Sequence, residues 1–195
     1  MVPESEYANH TDPAPEGSIT LWHPKDYLDD LYAEWALFEQ GWPIGYQISD
    51  DTRVLSSWPV HCYATVGVAR DLSPDTGTGA ELYAVIGHAP RALDRNIAVV
   101  GRVIEGIEHL STLPRGKGEA GVYDDPNLRV PILSVRLGDE LPEAEQPRFE
   151  YLAGDTESFA NYVRVRANRN DAFYKVPAGG VDVCNVQVPI RRVEE

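Results

Sequence analysis

The side chains of this sequence that could transfer protons or bind metals are few and scattered. Five histidines occur in the chain, and none stands at the spacing of a metal-ligand pair. His61 and Cys62 are adjacent, but neighbouring side chains on a strand face opposite ways. Asp94, in a polar loop, could act as an acid or a base, although we expect it to cap the loop. With no G-x-S-x-G segment and no carboxylates paired at a catalytic spacing, the sequence gives no sign of nucleophilic or metal-dependent catalysis.

The cysteines and glycines give equally little sign of a cofactor. Cys62 and Cys184 form neither a disulfide scaffold nor a metal-type pair. Their spacing cannot show whether a single bridge joins them, and we predict buried free thiols. Gly77 and Gly79 could suggest a phosphate-binding loop, but the order of strand, G-x-G-x-x-G and helix is absent there. We therefore expect a tight turn at these glycines and no bound cofactor.

Length and charge limit the partners that this chain can have. Its 195 residues suit one domain with an extension, and its hydrophobic content of 43% is enough to bury a core. The net charge of −14 argues against nucleic acids and against anionic membrane surfaces. No apolar run reaches the roughly 18 residues of a membrane span. Residues 1–18 lack the pattern of a signal peptide and are predicted to be a disordered acidic lead.

The elements that must position any site are predicted to be mostly strands. Apolar residues at helical spacing predict a helix over residues 20–40, and residues 42–60 look like loop and short strand. A short helix with one apolar face is expected at 104–113. Alternation and apolar runs predict four strands, at 61–70, 80–87, 97–103 and 130–137.

The C-terminal part of the chain is predicted to form a separate small extension. A polar, proline-containing run separates it from the preceding strands, so we predict an α/β extension over residues 149–195. Thr156 or Asp155 is expected to cap a helix of about 157–169. Residues 181–190 alternate as a strand does.

Two segments in the middle of the chain together resemble a known family. The segment "VGVARDLSPDTGTGAELYAVIG", residues 66–87, resembles V-G-M-A-R followed by a loop and G-S-Q-F-[FY]-I. The segment "LDRNIAVVGRVIEGIEHL", residues 93–110, resembles L-D-x-x-[HY]-[TV]-V-F-G-[KR]-V-x-x-G. Both patterns are typical of bacterial cyclophilins, and here they stand at the family's separation with the family's helix after them. The resemblance covers roughly residues 60–140.

The resemblance implies a mainly β fold with a few short helices. Cyclophilins are closed eight-stranded β-barrels capped by helices, and they catalyse the cis–trans isomerisation of X–Pro bonds without a cofactor. The family's first strands and first helix cannot be recognised here, so we predict a cyclophilin-like β-barrel that is incomplete at its N-terminus. The predicted divisions are the lead at 1–18, a cyclophilin-like domain at 19–148 and the extension at 149–195.

The resemblance also implies a substrate groove for proline-containing peptides or unfolded protein clients. Tyr83 falls on the aromatic residue of the proline pocket, and Leu93 falls on the aliphatic wall of that pocket. Glu81 stands where the family has Gln, and Ala92 stands where many members have Trp or His. The positions predicted to bind substrate are Val68, Ala69, Arg70, Glu81, Leu82, Tyr83, Ala92, Leu93 and Ile97.

The family's catalytic arginine has no recognisable counterpart here. It belongs to a segment F-H-R-[IV] that precedes a Phe and Q-G-G-D, whereas Arg53 is the only arginine upstream of residue 66 and lies in an unrelated context. We therefore predict an isomerase whose catalytic residue is unknown. The alternatives are a binding module without catalysis and a fragment of a longer protein that self-associates through open strand edges. We expect a cytoplasmic location by default, and a periplasmic one if a signal-bearing segment precedes this chain.

Overall fold

The computed structural model describes residues 6–9, 30–49 and 55–193, and it shows a mainly β protein. Three sheets of three antiparallel strands are connected by long irregular segments and short helices. The strands are β1 (Tyr7–Asn9), β2 (Trp35–Glu39), β3 (Trp42–Ile48), β4 (Leu55–Pro59), β5 (Thr65–Val68), β6 (Leu82–Ala84), β7 (Val99–Arg102), β8 (Phe149–Leu152) and β9 (Ile190–Arg192), and the α-helices are α1 (Ile107–Ser111) and α2 (Glu157–Ala167).

The sheet β2-β3-β4 is built on a tight hairpin. Gln40 and Gly41 both have positive φ, at 47° and 76°, which is the backbone that closes a two-residue hairpin turn. β4 pairs with the other edge of β3, so that β3 lies in the centre of the sheet. Residues 42–60, predicted as loop and short strand, therefore hold two full strands.

The helix predicted over residues 20–40 is wrong where the structure describes it. Residues 35–39 form β2, whereas residues 20–29 lie outside the described residues. Ala36 and Phe38 are buried in β2 with a period of two, and they pack into the core. Pairing with β3 therefore outweighs the helical spacing of the apolar residues, as tertiary context commonly does.

The sheet β6-β5-β7 contains the segment that carries the family resemblance. Its central strand β5 pairs antiparallel with both neighbours, and Gly67 lies opposite Tyr83 on one side and Val99 on the other. A Cβ atom at Gly67 would lie 2.4 Å from Cζ of the Tyr83 ring, so the absence of a side chain lets this ring lie over the strand. The three strands predicted at 61–70, 80–87 and 97–103 are confirmed in shorter form.

The short helix predicted at 104–113 is confirmed as α1, but it is less buried than its pattern suggests. Ile104 is 43% exposed and Leu110 is 37% exposed. Gly106 precedes the helix with a φ of 80°. The apolar face of α1 is therefore only half covered by the described residues.

The third sheet, β1-β8-β9, and α2 form the C-terminal part of the structure. The predicted helix is confirmed, and Thr156 caps it because its Oγ1 accepts a hydrogen bond from the backbone N–H of Phe159 at 3.2 Å. The strand predicted at 181–190 is wrong over most of its length. Asp182 accepts a hydrogen bond from the backbone N–H of Cys184, which starts a 3-10 turn at Val183–Asn185. This local bond replaces strand pairing there.

The predicted acidic lead is described only in small part. Residues 7–9 form β1, which pairs antiparallel with β8, so disorder is wrong for these three residues. Residues 1–5 and 10–18 lie outside the described residues. The local composition could not predict this strand, because β1 pairs with β8, which is far away in sequence.

One buried core joins residues from both sides of the predicted boundary at 148. The C-terminal part contributes Leu152 and α2 residues, and these pack with β2 and with residues 60–62. The division into a domain and an extension stays a prediction. The buried members of this core are Ala36, Phe38, Val60, Cys62, Leu152, Phe159, Val163, Val183, Val186 and Val188.

Cys62 and Cys184 are joined by a disulfide, so the prediction of free thiols is wrong. Their Cα atoms lie 5.0 Å apart, and 122 positions separate them in sequence. The bond connects the segment that leads into β5 with the 3-10 turn before β9. Sequence could not indicate it, because the two cysteines are 122 positions apart and come together only in the folded chain.

The strand predicted at 130–137 is also wrong. Across the described residues this segment has no ladder partner, and Ile132 and Leu133 are 82% and 92% exposed. An apolar segment needs a neighbouring strand before it can form one. For the same reason the three sheets do not close into a barrel within the described ranges. Neither described helix is long and apolar enough to cross a membrane.

Candidate functional site

An open groove lies between β4 and the loop that leads into β7. Its volume is about 390 Å³. β4 contributes residues 57–59 on one side, and residues 95–99 form the other side. Arg70, which follows β5, and Thr76 complete the lining. We call this space the arginine groove, because Arg70 and Arg95 are the charged residues that line it.

Trp58 gives the groove an aromatic wall. It lies opposite Gly45 in the pairing of β3 and β4, and a Cβ at Gly45 would lie 2.9 Å from the indole Nε1. Glycine at that position is thus what allows the indole to lie flat against β3. Trp58 is only 8% exposed, and its buried N–H has no hydrogen-bond partner among the described residues. An aromatic wall of this kind favours an apolar ligand.

Arg95 is held in place before any ligand arrives. It has a positive φ of 67°, so the loop turns sharply after Asp94. Its guanidinium carbon lies 5.0 Å from the ring centre of Trp58, within the range of a cation–π contact. Its Nη1 donates a hydrogen bond of 2.6 Å to Oε1 of Gln47. The other N–H groups of Arg95 have no partner in the described ranges and can donate to a ligand.

Arg70 is fixed by backbone carbonyls. Its Nε donates to the carbonyl of Asn96 at 3.1 Å, and its Nη1 donates to the carbonyl of Asp71 at 2.6 Å. The pKa of Asp75 is lowered, chiefly by the backbone N–H groups of Asp71 and Gly77 and to a smaller degree by the charge of Arg70. Asp75 is nevertheless not within ion-pair distance of Arg70. Neither arginine of the groove has a carboxylate partner among the described residues.

A buried polar network lies beside the groove and is centred on His61. This histidine is 0% exposed, and its two ring nitrogens are both engaged. Nδ1 lies 2.9 Å from Oδ1 of Asp94, and Nε2 lies 3.0 Å from the hydroxyl of Tyr83. The backbone N–H of His61 also donates to Oδ1 of Asp94 at 2.9 Å. We call the set of His61, Tyr83, Asp94, Arg91 and Asp30 the histidine network.

Arg91 connects the histidine network to a second buried carboxylate. Its Nε donates to Oδ2 of Asp94 at 2.6 Å, and its Nη2 donates to Oδ1 of Asp30 at 3.0 Å. Its Nη1 lies 2.8 Å from Oδ2 of Asp30, an ion-pair contact whose alignment falls short of a hydrogen bond. Burial acts to lower the pKa of Arg91, but hydrogen bonds and charges from both carboxylates raise it overall. Arg91 therefore stays charged between two carboxylates.

The protonation of the network follows from its partners. Burial, assisted by the negative charge of Asp94, raises the pKa of Tyr83, so its hydroxyl keeps its proton and can donate. In the tautomer with the proton on Nδ1, Nδ1–H of His61 donates to Asp94 and Nε2 accepts from Tyr83. Asp94 thus binds a distant histidine and Arg91, rather than capping the backbone of its own loop as predicted. His61, which is inaccessible to solvent, connects Tyr83 with the loop around residue 93.

The predicted binding positions separate into three groups. Arg70 and Ile97 line the arginine groove. Tyr83 and the loop that holds Leu93 are joined through His61, and both residues are partly buried. Whether these positions bind substrate stays a prediction. The remaining predicted positions lie outside the groove lining, with Val68 buried, Ala69 partly exposed, and Glu81, Leu82 and Ala92 exposed.

Sequence reasoning missed the residues that give the site its charge and its order. Arg95 falls on an unspecified position of the second family motif, and Trp58 lies outside both motifs, so neither residue was singled out. His61 gave no signal because its partners are 22 and 33 positions away. In the part of the chain that the structure describes, no three or more His, Cys, Asp or Glu side chains gather as metal ligands would.

Comparison with solved structures identifies the fold. The crystal structure of the cyclophilin AquaCyp293 from Hirschia baltica matches with a TM-score of 0.56 and 20% sequence identity. The match covers 86% of this chain and 58% of the AquaCyp293 chain. A scan against protein-family models and a search of curated proteins find no match. The fold is therefore cyclophilin-like, which confirms the resemblance read from residues 66–110, and this chain spans just over half the length of that cyclophilin.

Proposed function

We propose that this protein binds X–Pro segments of peptides or unfolded chains in the arginine groove and accelerates their cis–trans isomerisation. One observation carries the proposal. The groove places apolar side chains, Trp58 and Ile97, beside the guanidinium groups of Arg70 and Arg95. The cyclophilin-like fold supports the same reaction, and the groove is where the chain has the means to perform it.

The physics of the reaction explains why this combination matters. An X–Pro bond isomerises over a barrier of about 18–20 kcal/mol, because its amide resonance must be broken as the bond twists. Proline has no amide hydrogen, so its ring is recognised by shape and apolar contact. A donor that reaches the prolyl nitrogen stabilises the twisted state more than either planar state. Apolar walls and a fixed donor are therefore sufficient, and no covalent step is needed.

The chain's own residues can fill both roles. The indole of Trp58 and the side chain of Ile97 provide walls for the pyrrolidine ring. Arg95 is the candidate donor, because its contacts with Trp58 and Gln47 fix its guanidinium while other N–H groups stay available. Arg70 is anchored by the carbonyl of Asn96, the residue after Arg95, and by the carbonyl of Asp71, and it is the candidate to hold the peptide backbone or a side chain.

An exchange experiment tests this proposal. Cis–trans exchange of N-acetyl-Ala-Ala-Pro-Phe-amide can be measured by NMR exchange spectroscopy with the wild-type protein and with Arg95→Gln. We expect wild-type protein to accelerate exchange and the substitution to reduce the catalysed rate about 10²-fold, as loss of one transition-state donor does. Arg129→Gln is the matched control, because it removes the same charge at an exposed position outside the groove. No acceleration and no binding by the wild type would refute the proposal.

The second candidate function is binding of X–Pro segments without catalysis. Glu81, which stands where the family has Gln, is exposed and carries a charge in place of an amide donor. In the same experiment this candidate predicts saturable shifts of the peptide resonances with no change in the exchange rate. Isomerisation and simple binding are thus separated by one set of spectra.

We also propose that the protein works in an oxidising compartment. The bond between Cys62 and Cys184 carries this proposal, because structural disulfides persist outside the reducing cytosol. This proposal differs from the expectation of a cytoplasmic location by default. Alkylation of freshly isolated protein tests it: we expect no labelling of either cysteine until a reductant is added under denaturing conditions. Two labelled thiols without reductant would contradict the proposal.

A further inference from the structure

We infer that the arginine groove selects X–Pro segments that carry an acidic side chain within one or two residues of the proline. This inference rests on the proposed function and specifies its substrate class. It starts from a contrast in charge. The protein has a net charge of −14, yet the groove presents two arginines whose hydrogen bonds, where described, go only to neutral oxygens.

Some arginines elsewhere in the molecule pair with carboxylates, while others, such as Arg102 and Arg166, bond only neutral oxygens; what distinguishes Arg70 and Arg95 is that both line one groove. Arg91 lies between two carboxylates, and four further arginines also form ion pairs. Those four are Arg148, Arg169, Arg191 and Arg192. In a chain with 31 acidic residues against 17 basic ones, carboxylates are abundant. Two guanidiniums that form no ion pair within the described ranges and that line one groove are therefore suited to an anionic ligand.

The geometry also prepares both guanidiniums for a carboxylate. Arg95 is held by Trp58 and Gln47, and Arg70 is held by the carbonyls of Asn96 and Asp71. Since these contacts fix the planar groups in advance, little side-chain entropy is lost when a ligand binds. A guanidinium fork matches the two oxygens of a carboxylate and forms short, charge-assisted hydrogen bonds.

The size of the groove limits how far the acidic side chain can lie from the proline. An extended peptide advances about 3.3–3.6 Å per residue. A space of about 390 Å³ holds a few residues at most. With the proline ring against Trp58 and Ile97, a carboxylate can reach a guanidinium only from a residue next to the proline or one position further.

Matched peptides test the inference. N-acetyl-Ala-Xaa-Pro-Phe-amide with Xaa as Glu, Gln or Lys changes the charge beside the proline and little else. The dissociation constant is measured by NMR titration, and the catalysed exchange rate is measured in the same samples. We expect the Glu peptide to bind about tenfold more tightly than the Gln peptide, since charge-assisted hydrogen bonds are roughly twice as strong as neutral ones. We expect the Lys peptide to bind most weakly.

Variants then assign the preference to the groove. Arg70→Gln should weaken binding of the Glu peptide more than binding of the Gln peptide, because only the Glu peptide loses a charge-assisted hydrogen bond. Arg129→Gln, at an exposed position outside the groove, should leave the preference unchanged. A preference that survives Arg70→Gln and Arg95→Gln together would overturn the inference.

The outcomes also distinguish this inference from the proposed function. Equal binding of the three peptides, with turnover, would overturn the acidic preference and leave isomerisation standing. A preference for the Glu peptide without turnover would support the inference for a binding module. No binding of any peptide would overturn both statements.

Discussion

Arg91 and Arg95 stand four residues apart on one loop, and the molecule uses them in opposite ways. Arg91 is 5% exposed and lies between the carboxylates of Asp30 and Asp94. Arg95 is exposed and lies against the ring of Trp58, with the amide of Gln47 as its hydrogen-bond partner. The first arginine belongs to the buried histidine network, and the second belongs to the open arginine groove.

This difference shows how burial and pairing decide the role of a charged side chain. A buried charge must be paired, because removal from water costs several kcal/mol per ion. Arg91 therefore cannot serve a ligand without leaving Asp30 and Asp94 unpaired. Arg95 retains much of its hydration, so exchange of water for a ligand is inexpensive. Substitutions in the network should accordingly change stability, and substitutions in the groove should change binding.

The largest expected effect is the loss of Arg91. Arg91→Leu leaves the two buried carboxylates without a cation, and we expect a decrease in the free energy of unfolding of about 3–5 kcal/mol. Urea denaturation followed by circular dichroism measures it. Arg129→Leu, at an exposed position, should change the same quantity by less than about 0.5 kcal/mol. Equal effects of the two substitutions would remove the distinction between the network and the surface.

Loss of the disulfide should have the next largest effect. The Cys62→Ala and Cys184→Ala double variant frees a loop of 122 positions in the unfolded chain, and we expect a stability loss of about 2–5 kcal/mol. Reduction of the wild-type protein should reproduce the loss, and reductant should have no effect on the double variant. A wild-type protein whose stability does not respond to reductant would contradict the bond between the C-terminal part and the segment before β5.

Tyr83→Phe tests the hydrogen bond between Tyr83 and His61 in the histidine network. The ring over Gly67 is kept, but Nε2 of the buried His61 loses its partner, and we expect a loss of about 1–3 kcal/mol in urea unfolding. Because the pKa of Tyr83 is raised above its unfolded value, its stabilising contribution is present at neutral pH. It should decline as the pH rises above about 10, where the unfolded tyrosine ionises first. A difference between wild type and variant that grows above that pH would contradict the assigned hydrogen bond.

Arg95→Gln tests the arginine groove in the way that Arg91→Leu tests the histidine network. We expect its stability to stay within about 0.5 kcal/mol of wild type, because an exposed arginine with a neutral partner contributes little to folding. Its affinity for the Glu peptide should fall about tenfold, since a charge-assisted hydrogen bond is lost. Calorimetric titration and urea unfolding on the same sample measure both quantities. A large stability loss with unchanged affinity would invert the roles of the two regions.

The smallest expected effect concerns the exposed segment at 130–137. Ile132 and Leu133 lie open to solvent, and we expect weak, concentration-dependent self-association through this segment. Leu133→Lys should lower the average mass seen by sedimentation at high protein concentration. Phe173→Lys is the control, because Phe173 is also 82% exposed but lies elsewhere in the chain. The same mass for Leu133→Lys as for wild type would contradict this contact.

The sequence predicts most accurately the elements that depend on neighbouring residues. α2, with Thr156 as its cap, was predictable because capping and apolar spacing are properties of neighbouring residues. The strands β5 to β7 were predictable because turn residues and apolar runs bound them. The helix predicted over 20–40 failed at residues 35–39, because β2 pairs with β3 in a hairpin and this pairing outweighs the helical spacing of the apolar residues. The strand at 130–137 failed for the converse reason, since its pattern is suitable but no described strand lies beside it.

Long-range contacts limited the prediction of the candidate site more than the prediction of the fold. Tyr83 and the loop at residue 93 could be singled out from family motifs, and the structure connects them through His61. His61 itself, Asp30 and Arg91 belong to no motif, because their contacts span 33 and 61 positions of sequence. The groove is equally invisible in sequence, because β4 and the loop before β7 become neighbours only in the folded chain.

The central claim, that the arginine groove receives an X–Pro segment, is tested most directly by mapping where a peptide binds. Amide and indole N–H resonances of the ¹⁵N-labelled protein are followed as N-acetyl-Ala-Glu-Pro-Phe-amide is added. We expect saturable shifts at the Trp58 indole and at residues 95–99, with the α2 residues unmoved. Shifts confined to other surfaces, or no saturable shift at all, would contradict the account.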